Sequence, residues 1–134
     1  GIKIVLMIGG AGSAYEQLFS DYTKYYQMLK TTLETHPVIT GVDFDIEEEC
    51  SLNDIRMLMR DIRRDFPDFT MSLAPVQSSL EGDYPGMGGF VYKDIFNTNL
   101  VDYFIGQFYT DYSFEAFLFL YLLGYLLLLC IYQN

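Results

Sequence analysis

The sequence has 134 residues, of which 51% are apolar and 17% aromatic. That is enough apolar material for one domain with its own core, and it excludes an intrinsically disordered chain. Eight basic against eighteen acidic side chains give a formal net charge of -10; this field repels phosphate backbones and argues against a nucleic-acid partner, while a neutral polysaccharide is compatible with it.

The chain begins at Gly1 and enters a strand-like run at once. No charged leader, apolar stretch and cleavage site precede that run, so the start reads as a cut and not as a natural terminus. Ile2 to Ile8 is short and apolar and is closed by Gly9-Gly10, which predicts a strand buried on both faces, as in a parallel sheet. Tyr15, Leu18, Phe19, Tyr22, Tyr26, Leu29 and Leu33 then recur at three- and four-residue steps. They predict one helix from Ala14 to about Glu34, with its tyrosine-rich stripe packed in the core. His36, before Pro37, falls in a loop-like stretch and takes a surface role. With no second histidine and no CxxC, a zinc site has nothing to build on. Cys50 and Cys130 are too few for a disulfide scaffold.

Val38 to Ile46 returns to strand character. Ser51 is placed to cap a second helix, with Asp54 at the capping-box position. Leu52, Ile55, Leu58, Met59, Ile62 and Phe66 line its buried face, and Pro67 stops it. Phe69 to Ala74 is a third strand, ended by Pro75; Ser78 to Gly89 is a long loop; Val91 to Asn97 is a short helix; Leu100 to Tyr109 is a fourth strand. This order predicts an α/β chain of consecutive right-handed βαβ units, which fits a barrel or an open doubly wound sheet. No GxGxxG follows a strand, and Gly9-Gly10-Ala11-Gly12 lacks the Lys-Ser/Thr of a phosphate loop, so nucleotide-binding versions of the open sheet lose ground.

From Ala116 to Tyr132 there is no charge, and leucine, phenylalanine and tyrosine dominate. At roughly seventeen residues this run sits at the lower edge of what spans a bilayer. It reads as a membrane anchor, a buried helix or a non-native tail, and the abrupt composition change after Glu115 favours the last. Residues 1–113 therefore form the domain and 114–134 an atypical apolar segment, through which membrane contact is conceivable.

The informative stretch is Gly41-Val42-Asp43-Phe44-Asp45-Ile46-Glu47. Strand side chains alternate, so Asp43, Asp45 and Glu47 share one face, while Val42, Phe44 and Ile46 share the other and pack against helices. Three carboxylates at steps of about 6.6–7 Å cannot all ionise cheaply in an enclosed site. At least one keeps its proton near neutral pH, which general-acid chemistry needs. A solvated antiparallel edge and a divalent-metal site are the competing readings, the latter implying a metal-dependent phosphoesterase. Glu48 and Glu49, just past the strand, are expected to be solvated loop charges.

These residues resemble family 18 glycoside hydrolases, the chitinase family, whose fourth barrel strand carries DxxDxDxE. Laid on this chain the pattern runs from Thr40 to Glu47; Asp43, Asp45 and Glu47 match, and Thr40 replaces the first aspartate. The family's third strand typically ends in SxGG, and Met7-Ile8-Gly9-Gly10 keeps both glycines without the serine. Met71-Ser72-Leu73-Ala74-Pro75 resembles the fifth strand. Gln107-Phe108-Tyr109 resembles the end of the sixth strand in plant class III, hevamine-like chitinases. The resemblance covers Lys3 to about Tyr112. It implies a partial (β/α)8 TIM barrel, strands three to six of a fold of about 250 residues. Members often carry a tryptophan beneath the sugar, and this chain has none.

The resemblance further implies hydrolysis of β-1,4-linked N-acetylglucosamine, in chitin or in an N-glycan core, without cofactor or metal. It makes Glu47 the proton donor, Asp45 the partner of the substrate's acetamido group, Asp43 the tuner of Asp45, and Tyr109 a donor to the acetamido oxygen. Gln107, Gly9 and Gly10 become substrate-binding candidates, although the glycines are expected to shape a tight strand end rather than touch sugar. It also favours an extracellular setting. A non-catalytic sugar-binding relative is the alternative, and the retained Glu47 argues against it.

Overall fold

A computed structural model of the chain describes residues 1–96 and 98–107. Four parallel strands lie side by side in chain order: β1 (Ile4–Gly9), β2 (Ile39–Asp45), β3 (Thr70–Leu73) and β4 (Tyr103–Phe104). Each is reached from the last by a helical crossover, so the α/β order expected from the sequence holds.

Helices α1 (Ala14–Ser20) and α2 (Tyr22–Thr35) occupy the span expected to be one helix. The break is at Asp21, whose backbone leaves the helical region (φ -148°, ψ 74°) and whose side chain accepts from the Lys24 amide. A short acid that satisfies a free helix-start donor is a favoured cap, and here that outweighs the continuous apolar stripe. The stripe packs as expected. Tyr15, Phe19, Tyr22 and Tyr26 stack in sequence at centroid distances of 6.4, 5.8 and 5.4 Å. The Tyr22 and Tyr26 hydroxyls donate to Asp61 and Asp65 of helix α3 (Leu52–Asp65). His36 is exposed and its Nδ1 donates to the Thr32 carbonyl at the end of α2.

Helix α3 begins as expected, with the Ser51 hydroxyl accepting from the Asp54 amide. Its Ile55, Leu58, Met59 and Ile62 join Val42, Phe44, Met71 and Leu73 in the core between helices and sheet. Arg63, at its last turn, donates to the carbonyls of Phe69 and Leu100 and to Asp102 Oδ2, which also accepts from the Met71 amide. One guanidinium fork thus ties α3 to the starts of β3 and β4.

Four further expectations need correction. Strand β1 is not buried on both faces: among the described residues it pairs with β2 alone, and Ile4 and Met7 are exposed. The long loop contains a helix, α4 (Gln77–Glu81), and the helix expected over 91–97 shrinks to α5 (Lys93–Phe96), because Val91 bridges back to Pro85. β4 is two residues long, although Ile105 and Gln107 continue its ladder through their amides to Leu73 and Pro75. Segment 114–134, with Cys130, lies outside the described residues, within which no helix is long and apolar enough to cross a membrane.

Candidate active site

β2 is the central element of the site because both its neighbours hold it in register: Gly9 faces Asp45 across β1, and Ser72 faces Asp43 across β3. Its apolar residues turn toward α3, which leaves Asp43 and Asp45 on the opposite side. Both are buried, at 7% and 8% exposure.

Each aspartate has one dedicated donor. The Ser72 hydroxyl, fully buried, donates to Asp43 Oδ1 at 2.5 Å. Gln107 donates through Nε2 to Asp45 Oδ1 at 2.5 Å and to the Ala74 carbonyl at 3.0 Å. Gln107, expected to position a sugar, therefore spends both donor contacts on the protein, and it is Asp45 that it positions. Ser72 joins the site although no motif marks it as chemistry-bearing. Its signal was present: a lone hydroxyl at an alternating position within the apolar run Met71 to Ala74.

Burial raises the pKa of Asp43, opposed by the Ser72 hydrogen bond. Asp45 is pushed up to about 6, first by burial, then by the negative charges of Glu47 and Asp43, against the pull of Gln107. The resisted ionisation expected of neighbouring acids is present at Asp43 and Asp45. Glu47 lies two residues beyond the end of β2 and is partly exposed. Its negative charge is one of the influences that raise Asp45.

The glycines separate in role. Gly9 (φ +111°) has its open side filled: a Cβ there would stand 2.0 Å from the Asp45 carbonyl oxygen and 2.7 Å from the Tyr15 ring. It packs tightly at the strand end, where no side chain fits. Gly10 (φ +89°) donates its amide to the Asp45 carbonyl, and its open direction leads toward Asp45 Oδ2, 3.8 Å from a built Cβ.

Glu48 contradicts its expectation most clearly. Its two carboxylate oxygens accept from the amides of Tyr15 (2.6 Å) and Glu16 (3.2 Å), the first turn of α1, while Ser13 makes no side-chain cap there. Free amides at a helix start draw a carboxylate from any element that can reach them. Glu49 is exposed and lies against Gly89. Tyr109 falls outside the described residues. Among these residues no group of three or more His, Cys, Asp or Glu is arranged to hold a metal ion.

No family model and no curated protein matches the sequence. Solved structures do. A chitinase from Aspergillus fumigatus superposes with a TM-score of 0.81 at 29% identity over 93% of this chain and 48% of its own. A fungal endo-β-N-acetylglucosaminidase from glycosyl hydrolase family 18 gives 0.77 at 28% identity, with the same coverage. A Streptomyces coelicolor structure described as a chitinase A gives 0.59 at 17% identity over 81% of this chain and 36% of its own, and bears on the fold alone. The chain spans about half the length of the first two (48%), and its parallel sheet matches part of their barrel.

Proposed function

We propose, from the premise that this chain is built as part of a barrel like those of family 18 glycoside hydrolases, that it carries the carboxylates of a chitinase-like glycosidase. The substrate class is β-1,4-linked N-acetylglucosamine, as chitin or its oligosaccharides, or as the core of an N-glycan. The supporting observation is the pair of buried aspartates, each with its own donor, beside a more accessible glutamate at the strand's open end.

In this reading Glu47 gives its proton to the glycosidic oxygen as the bond to the leaving sugar breaks. The substrate's acetamido carbonyl oxygen attacks the anomeric carbon and forms an oxazolinium ion, the place taken in other retaining glycosidases by an enzyme carboxylate. Asp45 accepts the acetamido N–H and stabilises the positive charge that develops there. Asp43 shares a proton with Asp45 and tunes its charge, the two acting as a coupled pair. Tyr109 is assigned the acetamido oxygen, and Gln107 the orientation of Asp45. Water then opens the ion, with Glu47 taking back a proton.

The test is Glu47→Gln, assayed on chitooligosaccharides. Loss of hydrolysis by at least about a hundredfold, with binding retained by titration calorimetry, is expected for a general acid. Unchanged turnover rejects the assignment.

A further inference from the structure

The proposed proton donor sits beyond the last hydrogen-bonded residue of β2, where strand pairing no longer holds the backbone. Something else must fix it, because a reacting group displaced by about 1 Å can cost about a hundredfold in rate. Two contacts flank it. On the chitinase-like reading above, we infer that Glu48 is a positioning residue, whose grip on the first turn of α1 holds the adjoining Glu47 toward the aspartates.

Val42, Phe44 and Ile46 are buried in the core on the helix side, and Glu48 lies past the strand end. Glu48 reaches α1, with one oxygen on the Tyr15 amide and the other on the Glu16 amide. A carboxylate held by both oxygens cannot rotate freely, so the peptide carrying it is fixed in direction. Glu47 adjoins that fixed peptide, and its negative charge acts on Asp45. Tyr15 makes the anchor itself rigid: it is fully buried, and its hydroxyl donates to the Ile8 carbonyl at 2.7 Å. On the preceding side, the buried Tyr92 hydroxyl donates to the Ile46 carbonyl at 3.3 Å. On the following side, the Cys50 amide donates to the Gly88 carbonyl at 3.1 Å. The turn that bears Glu47 is therefore clamped from α1 and from the loop before α5, and Glu48 supplies the α1 clamp.

The experiment compares Glu48→Ala and Glu48→Gln in the full chain with Asp21→Ala, which removes a helix cap far from the turn. Amide hydrogen exchange reads the clamp without any need for activity. Exchange over residues 46–50 is expected to rise about tenfold or more in Glu48→Ala, less in Glu48→Gln, and not at all in Asp21→Ala. Unchanged exchange there overturns the inference, as does an equal rise in all three variants. Turnover of chitooligosaccharides is the second readout. About a tenfold loss in kcat with KM unchanged, partly restored by glutamine, is expected. Unchanged kcat, or a loss confined to KM, overturns it. A parent that never hydrolyses these sugars counts against the proposed function alone, and the exchange result then decides the clamp.

Discussion

Gln107 donates its side-chain amide to Asp45, sixty-two positions away in the chain, and so joins the last described residue of the sheet to its most strongly perturbed carboxylate. The contact exists because β4 extends its ladder one step past β3: the Gln107 amide bonds the Pro75 carbonyl at 2.8 Å. That step carries the side chain over the strand ends.

Removing this donor should raise Asp45 further, since the hydrogen bond favours its ionised form. In Gln107→Ala the Asp45 carboxyl should titrate above the value of about 6 it has in the parent. Carbon NMR of the carboxyl reads both; a value that falls or stays put refutes the coupling.

Asp45 also makes stability depend on pH in a defined direction. Its folded-state pKa, about 6, lies above the ordinary 3.8, so the native chain binds this proton more tightly than the unfolded chain does. The group weakens the fold as pH rises from 3.8 through about 6, and its effect is level above that. Asp45→Asn keeps an acceptor for Gln107 and removes the charge. Relative to the parent it should gain about 1–3 kcal/mol at pH 8 and nothing at pH 3. Urea unfolding at the two pH values measures the difference, and an equal effect at both defeats the argument.

Ser72 answers for Asp43 in the same way. Ser72→Ala leaves a buried carboxylate without its donor, and should cost about 1–3 kcal/mol at neutral pH. The cost should shrink in acid, where Asp43 takes up a proton. Denaturation midpoints across pH test this, and a loss independent of pH would assign Ser72 to packing only.

The two glycines should part company under substitution. Gly9→Ala meets a backbone oxygen and needs a positive φ, so a loss of about 3 kcal/mol or more is expected. Gly10→Ala meets only ordinary van der Waals contacts and should lose about 1–2 kcal/mol, from its φ alone. Equal losses would mean that the close approach of β1 to Asp45 is not what selects glycine.

The sequence by itself determined the strand-helix alternation, the capped start of α3 at Ser51, and the shared face of Asp43 and Asp45. All three are local: period, cap and alternation are decided within a few residues, and no distant partner can reverse them cheaply. The break at Asp21 was legible in principle, as a good cap inside an apolar stripe. Tertiary structure alone decided which donor each aspartate receives, that Gly9 is packed and Gly10 open, and that Glu48 reaches back to α1. Those outcomes depend on strand register and on where a helix begins in space. A carboxylate and a free amide find each other by distance, and spacing along the chain carries no record of that.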